Sequence, residues 1–148
     1  MRRIAAVLGV AVLTLAGTMV SSATAQAAGA VVIYKVQYNS PGTDTRSNKS
    51  LNGEYVVIKN TAKQTKTITG YRLQDEAGHR YVFGTTKLKP GKVIYVRTGK
   101  GTNNYLNRYW GRSWHVWNNT GDTAYLRSPN NRLLDKCSWG SKGSAKYC

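Results

Sequence analysis

In the segment Glu54-Tyr55-Val56-Val57-Ile58-Lys59-Asn60, a period of two puts Glu54, Val56 and Ile58 on one side of an extended strand and Tyr55, Val57 and Lys59 on the other. Upstream, residues 30–38 read as a further strand, with Val32, Tyr34, Val36 and Tyr38 on one face and Val31, Ile33, Lys35 and Gln37 on the opposite one. Between the two, residues 39–52 read as a loop marked by Pro41-Gly42 and by Asp, Ser and Asn. Downstream, residues 65–74 predict a third strand, with Ile68, Tyr71 and Leu73 toward the core and Gly70 at a bulge. Shorter strands follow at residues 80–83, 92–98, 123–127 and 132–139, separated by turn chemistry at 75–78, 87–91, 119–122 and 128–131. Residues 99–119 lack a clean period and read as an aromatic-rich connection that includes one helical turn. Seven or eight short strands with tight turns and little helix-forming composition predict an all-β sandwich or barrel.

Residues 1–27 have the form of a cleavable signal peptide. Arg2 and Arg3 supply the positive start, residues 4–20 are apolar and uncharged, and Ala23-Thr24-Ala25 and Ala25-Gln26-Ala27 offer small-x-small cleavage sites. Cleavage after Ala27 is preferred over cleavage after Ala25. The alternative is a retained anchor, but the run is barely long enough to cross a bilayer and is diluted by Gly9, Thr14, Gly17 and Thr18. The expected product is one extracellular domain, residues 28–148, with no membrane span.

The chain carries 22 Lys and Arg against 6 Asp and Glu, a formal charge of +16. Loss of Arg2 and Arg3 with the leader lowers this to +14, and the remaining cations recur from Lys35 to Lys146. Such a surface attracts polyanions over a Debye length of ~8–10 Å. Solubility is the competing use of the charge. Cys137 and Cys148, in an exported protein, predict a disulfide that ties the tail to the last strand and contributes ~2–3 kcal/mol. Two cysteines without a nearby histidine do not make a metal site, and no cofactor motif is present.

The catalytic stock is thin. His79 and His115 are the only histidines, and no metalloprotease, nucleophile-elbow or phosphate-loop pattern occurs. No catalytic residue is assigned; a histidine-based hydrolase or nuclease is the third choice of function. Basic and aromatic residues interleave across positions 95–117. Arg97, Lys100, Arg108 and Arg112 are candidate anion contacts there, and Tyr109, Trp110 and Trp114 candidate stacking residues. The competing reading is that these aromatics fill the sandwich.

From Leu51 to Trp139 the sequence resembles the lamin tail domain family, in a secreted bacterial stand-alone form. Four pieces carry the likeness in order: residues 52–60; Ile68-Thr69-Gly70-Tyr71-Arg72-Leu73 with Asp75; Leu88-Lys89-Pro90-Gly91 after Tyr81-Val82-Phe83; and Trp117-Asn118-Asn119-Thr120-Gly121-Asp122-Thr123-Ala124-Tyr125-Leu126. The chain departs where bacterial members often carry a second acid in the opening strand; that position is Val57. The resemblance implies an immunoglobulin-like β-sandwich in which Glu54, Gly70, Trp117, Asn118, Gly121 and Asp122 are structural. Trp117 is expected in the core, and Asp122 is expected to bond its own turn. The nuclear partners of lamins are not expected for an exported chain. The functional expectation is a non-enzymatic binding or adhesion module. Its ligand would be an anionic polymer, nucleic acid or cell-envelope polymer; the alternative is an extracellular protein.

Overall fold

A computed structural model describes residues 30–148. The leader assigned to residues 1–27 lies outside the described residues. The described residues form eleven strands, nine of them in two main layers: β1 (Val31–Gln37), β2 (Tyr55–Asn60), β3 (Lys66–Thr67), β4 (Arg72–Gln74), β5 (Arg80–Val82), β6 (Lys87–Leu88), β7 (Val93–Arg97), β8 (Asn107–Tyr109), β9 (Asp122–Arg127), β10 (Leu133–Trp139) and β11 (Ala145–Tyr147). One sheet has the order β11-β1-β2-β7-β8 and the other β10-β9-β4-β5; β3 and β6 form a separate two-stranded ribbon. All pairs are antiparallel except β7 with β8. The immunoglobulin-like sandwich expected from the sequence is therefore the fold.

The apolar faces of the two sheets meet in one core. Val36, Val56, Ile58, Ile94 and Val96 come from the first sheet, and Leu73, Ala124, Leu126 and Cys137 from the second. Trp117 is buried between them, edge-to-face against Trp110 at 6.0 Å and Trp139 at 5.9 Å. Such ring pairs add about 0.5–1.5 kcal/mol beyond their area.

Several expectations are corrected. The faces of residues 30–38 do not hold one parity: Val31 and Ile33 point inward, and so do Val36 and Tyr38. The cause is a bulge. Ile33 pairs with Ile58 but Lys35 pairs with Val57, so Tyr34 is an extra residue and the alternation restarts after it. Residues 39–52 are not wholly loop. A helix α1 (Asn48–Gly53) forms there, capped by the Ser47 side chain, which accepts from the Ser50 amide, and it buries Leu51.

The predicted strand at 65–74 is split into β3 and β4. Gly70, at φ +77°, occupies a turn closed by a bond from the Tyr71 amide to the Ile68 carbonyl, not a bulge within a continuous strand. Residues 87–88, assigned to a turn, form β6 instead. The connection 99–119 contains the short strand β8 and no helix. The expected disulfide forms, and the tail that it ties to β10 is itself a strand, β11, which pairs with β1 in the opposite sheet. The Cys137–Cys148 disulfide, with Cα atoms 5.9 Å apart, joins the end of that strand to β10 and so staples the two layers.

Candidate binding surface

The six acids are all occupied within the fold. Glu54 is 0% exposed. Its Oε1 accepts from the Thr98 hydroxyl at 2.6 Å and the Val116 amide at 2.9 Å, and its Oε2 lies 3.2 Å from His115 Nδ1. Burial pushes its carboxyl above the ordinary range, and the bonds from Thr98 and Val116 and the nearby His115 partly oppose that rise. Asp122 accepts from the amides of Asn118, Glu76 and Thr123, which ties the turn at Gly121 to the β4–β5 hairpin. Gly121 has φ +137° and lies against the Trp139 carbonyl, so this turn has little room for a side chain. Asp75 holds the amide and ring of His79. Asp44 accepts from Asn119, Glu76 from Thr123, and Asp135 from the Ile33 amide of the facing sheet.

The consequence for the cations is direct. Among the described residues, no Lys or Arg makes an ion pair with a carboxylate; the only carboxylate partners are His79 and His115.

His115 lines a shallow depression of about 350 Å³ with Asp44, Arg46, Trp114 and Asn119. Its Nε2 faces the Thr45 carbonyl at 3.1 Å and its Nδ1 faces Glu54. Both ring nitrogens are therefore engaged in holding the end of the sandwich together.

The structure pairs Arg97 with Tyr109 across β7 and β8 and gives the other candidate anion and stacking residues of the 95–117 connection separate partners. Arg108 donates to the Asn104 carbonyl and to Thr86 Oγ1. Trp110 packs against the core and touches Tyr81 and Trp117 edge-on. The Tyr109 ring lies over Gly101, where an added Cβ would meet it at 2.4 Å. Lys100 is exposed, and its backbone is bonded by Asn48 and Asn52. Arg112 is half-buried. Trp114 is 55% exposed but lies under the Arg46 guanidinium, 3.7 Å from its ring centre.

Arg97 belongs to a different cluster, the outer face of the five-stranded sheet. Its Nε donates to Asn107 Oδ1, and its guanidinium lies 5.3 Å from the Tyr55 ring centre and 5.5 Å from that of Tyr95. Tyr55 and Tyr95 pack on each other at 5.3 Å. Lys35 Nζ lies between Tyr55 and Tyr147, at 5.3 and 5.4 Å, and donates to the Tyr55 hydroxyl at 3.1 Å. Tyr147 meets Tyr34 edge-on at 5.9 Å, and Lys59 Nζ sits 4.7 Å from the Tyr34 ring centre.

These are cation–π distances. The layer is continuous enough to bury Val57, 3% exposed although it lies outside the core cluster. Partial burial acts to lower the pKa of the Lys35 ammonium, but the surrounding tyrosines, Tyr55 first, outweigh it and raise the pKa, so Lys35 stays charged. The bulge at Tyr34 is what brings Tyr34 and Lys35 to the same face. At the far edge, Lys87, Lys89, Lys92, Val93 and Tyr105 line a cleft of about 460 Å³. It joins the face at Val93, the cross-strand partner of Lys59.

Sequence reasoning singles out Arg97 and the 95–117 window that holds Tyr95 and Tyr109, but not Lys35, Tyr55 and Tyr147 on the same sheet. The available signal was the outward series of β2 and β7, Tyr55-x-Val57-x-Lys59 and Val93-x-Tyr95-x-Arg97, where aromatic and cation recur on one side.

A two-layer β-sandwich whose carboxylates are held by partners within the chain and whose outer layer sets tyrosines beside cations defines a small basic sandwich module. The model of the family described as Lamin Tail Domain matches residues 24–141, and the chain belongs to that family. No curated protein is similar enough to the chain to be matched.

Proposed function

We propose that this lamin tail sandwich is an exported, non-enzymatic interaction module that binds anionic polymers on the outer face of its five-stranded sheet. One observation carries the reading: every carboxylate already has a partner within the chain, and no Lys or Arg among the described residues is neutralised by one. Charge kept only for solubility would gain from scattered surface ion pairs. Here the positive field is left free for an outside partner. Export is supported by the leader-like residues 1–27 and by the disulfide, which suits an oxidising compartment.

Retention on immobilised heparin tests the binding. Affinity should fall linearly with salt on logarithmic axes, with a slope of about −4 to −5 if about five anionic groups are neutralised. A protein that flows through at low salt overturns the proposal. Export is tested by the N-terminus of the protein recovered from culture medium, expected at Ala28. Replacing both His79 and His115 by Ala should leave binding intact.

A further inference from the structure

We infer that the tyrosine–cation face is a stacking platform for single-stranded nucleic acid, bound without sequence preference. The inference rests on the anionic-polymer reading and narrows it to one class of ligand. A partner recognised by charge alone needs cations; it does not need Tyr34, Tyr55, Tyr95 and Tyr147 on the same face. Exposed aromatic rings beside lysine and arginine suit a polymer that alternates flat bases with phosphates.

Geometry supports that match. Tyr34 is 41% and Tyr147 64% exposed, so their outer surfaces reach solvent. Each ring has a cation 4.7–5.5 Å from its centre, so a phosphate next to a stacked base meets a positive charge. The two ring pairs, Tyr34–Tyr147 and Tyr55–Tyr95, are bridged by Lys35, which makes one path across β11, β1, β2 and β7. Neighbouring strands stand about 4.8 Å apart, so the four that carry the rings give a platform ~14 Å wide, enough for a few nucleotides. The lysine cleft beyond Val93 extends the positive path at one end.

A duplex fits poorly. Its bases are stacked on one another, and a flat sheet reaches only its phosphates, which leaves the rings without a role. Base-edge readout is also poorly served: of the side-chain amides on the face, Gln37 has its Nε2 bonded to the carbonyls of Asn39 and Ser144, and Asn107 has its Oδ1 bonded by Arg97. That is why sequence preference is not expected.

The test uses the purified protein and three labelled probes of equal length, about 12 nucleotides, within the usual site size of such surfaces: oligothymidylate, the same chain made abasic, and a duplex. Oligothymidylate is expected to bind at least about tenfold more tightly than the abasic chain. Tyr34→Ala with Tyr147→Ala should remove that difference and change abasic binding little. Tyr34→Phe with Tyr147→Phe should keep it, because the rings remain. Thermal unfolding confirms that each variant is folded; both positions are exposed, so both pairs should be.

Equal affinity for the oligothymidylate and abasic chains overturns the stacking platform while leaving the anionic-polymer reading in place. Tighter binding of the duplex overturns it as well, as does a tyrosine pair that can be removed without effect. Failure of all three probes together with failure to bind heparin overturns both.

Discussion

The two outer faces of the sandwich carry similar charge and different chemistry. The five-stranded face sets Lys35, Lys59 and Arg97 among four tyrosines. On the four-stranded face, Arg72, Arg80, Arg127 and Lys136 lie among Gln74, Thr123 and Ser138, with Tyr125 as the lone aromatic beside Arg127. Charge alone cannot choose between these faces, since both attract a polyanion. What differs is the fraction of each cation's surroundings that is a ring, and thus whether a bound polymer meets flat apolar area as well as charge. In the proposed binding, net charge would govern capture and aromatic content would govern where the captured polymer stays.

Removing the disulfide should break the comparison most severely. Cys137→Ser with Cys148→Ser is expected to cost about 2–3 kcal/mol by loop-closure entropy, read as a lowered midpoint in urea. It should also release β11, a three-residue edge strand whose Tyr147 is part of the platform. Single-strand affinity should then fall by as much as in Tyr147→Ala, and mild reductant should do the same. Unchanged affinity after reduction would show that β11 is held by its pairing with β1 alone.

Charge removal sharpens the comparison. Lys35→Ala, Lys59→Ala and Arg97→Ala together should weaken single-strand binding by about tenfold or more and make the salt slope shallower by about 2, at ~0.7 per contact. Arg72→Ala, Arg80→Ala and Arg127→Ala remove the same charge from the other face and should change both quantities much less. Equal losses from the two triple variants would mean that binding follows overall field and has no preferred face.

Much of this fold is legible in the sequence because β7 alternates cleanly and β2 and β9 nearly so, and because Leu73, Trp117 and Leu126 are large apolar residues at strand or turn positions. The β1 bulge was not legible. Val31, Ile33, Val36 and Tyr38 supply apolar residues at both parities, so either phase looks like a core face until the register with β2 is known. β11 was missed because Ala145-Lys146-Tyr147 has no apolar alternation, and its partner is more than 100 positions away in the chain. The candidate site was partly misread for a related reason. A sequence window groups Arg97 with Arg108, Tyr109 and Trp110 by chain proximity, whereas the sheet keeps Tyr109 beside it and adds Tyr55 and, through Lys35, Tyr147. Arg108 and Trp110 are adjacent in sequence to an exposed strand, but their own partners are a carbonyl and the core.

The faces meet at the end where Glu54 is buried, and pH tests how that end supports them. Its carboxyl binds a proton more readily in the fold than in the unfolded chain, because burial disfavours its charge. The Glu54 contribution is therefore fullest below the unfolded pKa and is lost as pH rises through the folded one. Glu54→Gln cannot ionise, so its unfolding free energy should improve relative to the parent as pH is raised across that window, measured by urea titration at a series of pH values. Two curves that stay parallel would mean that folding does not shift the Glu54 carboxyl.

The smallest effect should come from a single pair on the four-stranded face. Arg72 of β4 stands directly opposite Arg127 of β9, and no carboxylate lies between them. Like charges facing each other across two strands are unfavourable, while opposite charges contribute about 0.2–1 kcal/mol. Arg127→Glu should therefore stabilise the protein by at most about 1 kcal/mol, and the gain should shrink in high salt. It forfeits the Arg127 bond to the Asn131 carbonyl at 3.2 Å, which limits the benefit. Because this face lacks the tyrosine layer, the same substitution should leave single-strand affinity within about twofold, allowing for weakened long-range attraction. A larger loss of binding than of charge-dependent on-rate would place the polymer on the four-stranded face and invert the comparison.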